Sequence, residues 1–258
     1  MLLDDRNAVI YGAGGGIGGG VARTFAREGA RVFLTGRTLA PLEELAADIR
    51  AGGGSAEVAE LDATDERAVD EHAAAVVAEA GSIDVSFNLI GRGDVQGIPL
   101  VDMTAADFGH AVTTGLMSTF LTARAAARQM VKQGSGVILA VTSGTARAAV
   151  PMMGNTGPAD AAVESFLRCL AAEVGPQGVR VLGIHSAGVV ETLDRVKILA
   201  VNADADPDML VQMLARATML KRAPRLAQVA ETAAFLASDR AGAITATMVN
   251  ASCGLVPS

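Results

Sequence analysis

Tyrosine is almost absent from this chain: Tyr11 is the only one in 258 residues. No phenol is therefore available beyond residue 11 to exchange a proton at a pKa of about 10. Lysine is nearly as scarce, with only Lys132, Lys197 and Lys221. The two cysteines, Cys169 and Cys253, have neither the density of a disulfide scaffold nor the spacing of metal ligands, so both are expected to be free thiols. The three histidines, His72, His110 and His185, are too scattered to outline a metal site. Positive charge is in deficit as well. A net charge of −7 argues against nucleic acid or an anionic membrane surface as partner. No secretory leader is legible at Met1–Asn7, and the uncharged stretch from Ala241 to Ser258 is broken by Asn250, Gly254 and Pro257, which excludes a spanning helix there. The expectation is a soluble, cytoplasmic protein.

Hydrophobic residues make up 50% of the chain, enough to fill the core of one large domain. Short apolar runs alternate with helical patterns, the signature of parallel βαβ units. Strands are expected near 7–11, 31–35, 56–61, 83–90, 136–142, 179–185 and 246–251. Helices are expected near 16–28, 40–51, 65–80, 104–133, 158–175 and 226–238. This predicts a single α/β domain spanning 1–258, a Rossmann-type doubly wound parallel sheet of about seven strands with helices on both faces. The stretch 188–225 has no strong strand pattern and is expected to cover the substrate.

The first strand runs into Gly12-Ala-Gly14-Gly-Gly16-Ile17-Gly18. Glycines there let the backbone turn tightly and bring a pyrophosphate onto the N-terminus of the next helix. The plainer reading is a glycine-rich turn that only joins strand to helix. At the end of the second strand stand Gly36 and Arg37, with no acid from Arg31 through Pro41. An arginine there suits a 2′-phosphate, whereas a carboxylate would suit a free ribose 2′-OH. NADP(H) is thus favoured over NAD(H), the alternative being an Arg37 that is only a solvated turn residue.

The run Gly12-x-x-x-Gly16-Ile17-Gly18, then Leu-Thr-Gly-Arg37, Leu61-Asp62, Asn88-Leu-Ile-Gly91, Val-Thr-Ser143 and Phe235-Leu-Ala-Ser-Asp239 together resemble the short-chain dehydrogenase/reductase superfamily across essentially the whole chain. The resemblance implies that the glycines hold the pyrophosphate, that Asp62 lies beside the adenine, that Asn88 and Gly91 line the cofactor, and that Thr192 meets the nicotinamide carboxamide. Asp62 also reads as a helix N-cap or turn residue before Glu66. The family's pairing of helices 104–133 and 158–175 across two-fold axes implies a homotetramer, with a homodimer as alternative.

Family members carry an asparagine, a serine and a Tyr-x-x-x-Lys pair. Here the serine is retained as Ser143, while the family spacing brings Gly115 to the asparagine position, Thr156 to the tyrosine position and Asp160 to the lysine position. A threonine hydroxyl is too weak an acid to replace a phenol. His185 is the nearest substitute acid or base, unless it is simply a strand-end side chain turned into the core edge. Two functions follow from the resemblance: an oxidoreductase with an atypical active site acting on a small molecule, or an inactive cofactor-binding protein that serves as sensor or assembly subunit. A redox-neutral enzyme on the same site is a third.

Overall fold

The computed structural model describes residues 1–193 and 206–255. Seven apolar runs become strands: β1 Asn7–Tyr11, β2 Arg31–Gly36, β3 Ser55–Glu60, β4 Val85–Asn88, β5 Gly136–Ser143, β6 Val179–Ser186 and β7 Met248–Asn250. All pair in parallel, in the order β3-β2-β1-β4-β5-β6-β7. The order reverses between β1 and β4, where the carboxyl ends of the strands open a crevice. Tyr11 pairs with Thr35 on one side and with Asn88 on the other.

The helices are α1 Gly16–Arg27, α2 Leu39–Ala51, α3 Glu66–Ala80, α4 Ala105–Gln133, α5 Thr156–Val174, α6 Pro207–Ala217 and α7 Leu226–Ala237. Two cores result, because a parallel sheet is buried on both faces. One joins α1, α2 and α7 to the sheet through Phe25, Leu42, Ile49 and Ala233; the other joins α3, α4 and α5 through Val69, Leu121, Met130 and Leu167. Side chains set the helix starts. Asp65 accepts from the Ala68 N–H at 3.1 Å to open α3, and Thr104 accepts from the Asp107 N–H at 3.1 Å to open α4. Both helices close on a left-handed glycine, Gly81 and Gly134, the conformation glycine adopts without a Cβ penalty.

Three details differ from the sequence pattern. Strand β4 stops at Asn88 because its Oδ1 accepts the Ile90 N–H at 3.1 Å and turns the chain out of the ladder. Helix α5 begins two residues early, since Pro158 falls in the first turn, where an N–H has no partner in any case. Helix α6 lies inside 188–225, which the pattern left without an element; Asp206 caps it at the Asp208 and Met209 N–H groups, and Pro207 opens it. Residues 194–205 of that expected cover lie outside the described residues.

Tyr11 is fully buried on the α3 side of the sheet, with its ring edge-on to His72 at 6.3 Å. Among the described residues its hydroxyl finds no hydrogen-bond partner. Burial, and then the charge of Asp70, push its pKa far above the ordinary phenol value. No helix of the described residues is long and apolar enough to cross a membrane, and no three of their His, Cys, Asp or Glu side chains cluster as metal ligands.

Candidate functional site

The crevice between β1 and β4 is built first from glycine. Gly12 has φ +81°, and a Cβ there would stand 2.6 Å from the Leu89 carbonyl oxygen. A Cβ at Gly18 would run into the Gly12 carbonyl oxygen, which is main chain and cannot move aside. At Gly16 it would meet Thr192 Cγ2 at 2.7 Å. Gly14 is different, with Pro41 no closer than 3.6 Å. The N-terminus of α1 carries no side-chain cap and no acid in its first turn, so its N–H groups are available to an anion. Ile17 packs back on the core. This cradle fits a dinucleotide pyrophosphate.

Around the cradle stand the other expected cofactor residues. Arg37 is exposed just past β2. Asp62 accepts from the Thr64 N–H at 2.9 Å and its Oγ1 at 2.7 Å. Those two bonds, then the charge of Arg37, hold its carboxyl below the usual range against the opposing effect of burial. Its side chain makes the turn before α3, and the cap of α3 is Asp65. Asn88 is buried and donates to Thr122 Oγ1 at 3.1 Å, fastening β4 to α4. A Cβ at Gly91 would meet nothing within 4 Å. Thr192 closes a 3-10 turn, with its hydroxyl on the Val189 carbonyl at 3.0 Å. Glu191 in the same turn accepts the Leu226 N–H at 3.1 Å and ties it to α7.

On the other side of the crevice, Ser143 ends β5 and Asp160 sits one turn into α5. The Ser143 N–H and Oγ–H both donate to Asp160 Oδ2, at 2.8 and 2.6 Å. Ser143 Oγ lies 2.5 Å from Thr145 Oγ1. The other carboxylate oxygen, Oδ1, accepts from Arg92 Nη1. Asp160 has no exposed surface. Burial first, and the nearby Asp94 last, raise its pKa above the ordinary aspartate value; Arg92 and Ser143 oppose them.

Room for Arg92 comes from Gly115. A Cβ at residue 115 would lie 2.7 Å from Arg92 Cδ and 2.9 Å from its Cγ. Thr156 donates through Oγ1 to Asp94 Oδ2 at 2.7 Å and accepts from Gln96 at 3.2 Å. Burial lifts the Asp94 carboxyl, but Thr156, Arg92 and Gln96 outweigh it, and the net shift is downward. One turn beyond Asp160, the buried Glu164 accepts from Thr142 at 3.2 Å and bonds His185 Nε2 at 2.5 Å. Arg147 reaches its second oxygen at 3.4 Å. Burial raises the Glu164 carboxyl, and His185, Arg147 and Thr142 together bring it below the usual value.

The structure thus unites Ser143, Thr156, Asp160 and Gly115 around Arg92 and Asp94. His185 is turned to Glu164 in a second buried pair. Sequence reading missed Arg92, Asp94, Thr145 and Glu164. Two signals were present: Arg92 directly follows Asn88-Leu-Ile-Gly91, and Glu164 lies at i+4 from Asp160, on the same face of a helix.

Comparison with known proteins shows the family and the fold. The sequence model of a family described as enoyl-(acyl carrier protein) reductase matches residues 12–256. The chain is 29% identical over 254 residues to the 7alpha-hydroxysteroid dehydrogenase of Escherichia coli K12, covering 98% of this chain and 95% of that protein. It is 32% identical over 265 residues to the L-rhamnose 1-dehydrogenase (NAD(P)(+)) of Azotobacter vinelandii, covering 99% and 98%. Among solved structures, a 7 alpha-hydroxysteroid dehydrogenase complexed with NADH and 7-oxo glycochenodeoxycholic acid superposes with a TM-score of 0.86 at 29% identity, over 98% of this chain and 94% of that one.

Proposed function

The chain belongs to the short-chain dehydrogenase/reductase superfamily, and on that footing we propose that it is an NADP(H)-dependent oxidoreductase with an atypical active site. The observation that carries the reading is the glycine cradle, in which side chains at Gly12 and Gly18 would strike main chain, set against the uncapped N-terminus of α1. In it the α1 N–H groups, Gly12, Gly16 and Gly18 hold the pyrophosphate. Asp62 borders the adenine, Asn88 and Gly91 line the cleft, and Thr192 meets the carboxamide. Bound there, the nicotinamide supplies a donor or acceptor of hydride. Ser143 orients the substrate oxygen.

Arg37 supports NADP(H), since a guanidinium forks onto phosphate oxygens and no acid from Arg31 to Pro41 repels them. One relative is named for both NAD+ and NADP+, so the preference rests on this chain's own residues. The segment 188–225 is read as the cover over the substrate. The protein is read as cytoplasmic. Exposed Phe108 and Met117 on α4, with half-buried Phe166 and Leu170 on α5, support a homotetramer or, failing that, a homodimer.

Calorimetric titration tests the cofactor reading: NADPH should bind the wild-type chain more tightly than NADH, and equal affinities would remove the assignment. A cofactor-binding protein without turnover is the second reading, favoured by the lack of any tyrosine after residue 11. Single-turnover absorbance of bound NADPH against ketones, enones and imines separates the two.

A further inference from the structure

The hydrogen atoms around Ser143 can be followed one at a time, and they point one way. Asp160 Oδ2 accepts from both the Ser143 N–H and Oγ–H, and Oδ1 accepts from Arg92. A carboxylate has no hydrogen to return, so the one hydroxyl hydrogen of Ser143 is committed to Asp160. With that hydrogen spent, the 2.5 Å contact with Thr145 is made by the Thr145 hydroxyl donating to Ser143 Oγ. The second lone pair of Ser143 Oγ faces the Thr145 N–H at 3.3 Å, the longest bond at this oxygen and the one a substrate O–H displaces, and Ser143 Oγ has no hydrogen to give. Such an oxygen accepts from an alcohol O–H and repels a carbonyl oxygen.

We propose that Asp160, acting through Ser143 Oγ, takes the hydroxyl proton of a secondary alcohol, with Arg92 as its fixed counter-ion. The proposal deepens the oxidoreductase reading and rests on it. As Ser143 Oγ takes the substrate's proton it passes its own to Asp160 Oδ2. The alcohol O–H bond breaks, and the adjacent C–H bond gives up its hydrogen with both electrons to the oxidised nicotinamide cofactor. The carbon–oxygen double bond forms, the alcohol is oxidised to a ketone and the cofactor is reduced. After the ketone leaves, the proton returns through Ser143 to solvent.

The surrounding charges favour this use of the carboxylate. Arg92 and Asp94 face it from the loop after β4, while Ser143 faces it from the end of β5, with Thr145 behind Ser143 Oγ. On its own helix Glu164 is one turn away and is occupied by His185, Thr142 and Arg147. Burial raises the proton affinity of Asp160, which makes it a better base. Gly115 is what lets Arg92 lie against it.

Two measurements test the relay, the first without cofactor or turnover. Difference infrared spectra across a rising pH series should contain one carboxylic-acid band that disappears above the range of exposed aspartates. It should be missing in Asp160→Asn and shifted in Ser143→Ala. The second measurement is the oxidation of cyclohexanol and phenylethanol with NADP+. Its rate should climb with pH through the same transition, and in Asp160→Asn the climb should vanish with a loss of about 10²–10⁴-fold, NADP+ affinity by calorimetry staying near wild type. If Asp160→Asn does not fold, Ser143→Ala cuts the relay while keeping the carboxylate and carries the same kinetic expectation. A band that titrates with exposed aspartates, or a rate indifferent to pH, overturns the relay. So does a chain that binds NADP+ and oxidises neither alcohol. Failure to bind NADP+ overturns the oxidoreductase reading itself, and the relay with it.

Discussion

Arg92 lies across the place where a side chain at Gly115 would begin, its Cδ 2.7 Å from that Cβ position. A glycine in the middle of α4 costs about 1 kcal/mol of helix propensity relative to alanine. Here the missing side chain admits the guanidinium that answers a fully buried carboxylate. Arg92, Gly115 and Asp160 therefore form one arrangement.

Removing Arg92 should expose the size of that arrangement. Arg92→Ala leaves the Asp160 carboxylate buried without a counter-ion, a loss of about 3–5 kcal/mol near neutral pH. The sign with pH follows from the proton count. In the variant the folded pKa of Asp160 stands above the unfolded value of about 3.9, so the folded state binds the extra proton. Stability should be greatest below that value and fall as pH rises through the folded pKa. Denaturant titrations at acid and neutral pH check it, and an equal loss at both would contradict the buried-charge account.

Arg37→Ala should weaken NADPH far more than NADH. A charge-assisted bond to the 2′-phosphate is worth roughly 1.5–3 kcal/mol, which corresponds to about tenfold to 150-fold in affinity. Calorimetry on both cofactors decides it, since a matched loss would show that Arg37 does not read the phosphate.

The glycine loop should answer differently at neighbouring positions. Gly18→Ala drives a methyl into the Gly12 carbonyl and should abolish dinucleotide binding. Gly14→Ala meets nothing closer than 3.6 Å, at Pro41, and should leave binding nearly unchanged. Circular dichroism establishes that both variants fold before fluorescence titration with NADPH compares them.

Restoring the superfamily's usual pair should fail while Arg92 remains. Thr156→Tyr with Asp160→Lys sets a second cation against the Arg92 guanidinium in a buried site and removes the acceptor of the Ser143 N–H. Like charges there are strongly unfavourable. In that double variant, which has lost the Asp160 carboxylate, ketone reduction should return only when Arg92→Ala and Gly115→Asn are added. Turnover by the double variant alone would mean that Arg92 moves freely.

The order of strands and helices was legible because a parallel sheet writes its core as continuous apolar runs, such as Val-Ile-Tyr in β1 and Val-Phe-Leu in β2. Helix α6 was not, although Asp206-Pro207 spells a cap followed by a first-turn proline. Met209 and Met213, four residues apart on one face of the helix, are exposed, so that face joins neither core. The glycine turn ahead of α1 could be read locally, since its glycines fall within seven residues. The Arg92–Asp160 pair spans 68 residues of sequence. Only packing of the loop after β4 against α5 brings the two together, and residue spacing does not encode that contact.

The sealed phenol of Tyr11 gives the molecule an optical property of its own. With no tryptophan in the chain, light absorbed to the red of its phenylalanines excites one ring, held at the end of β1 directly ahead of Gly12. The protein therefore carries a single tyrosine fluorophore whose address is known to the residue, and no label has to be attached. In alkali its phenolate absorbance should stay silent until the sheet opens, so the colour change would time unfolding instead of titrating a surface.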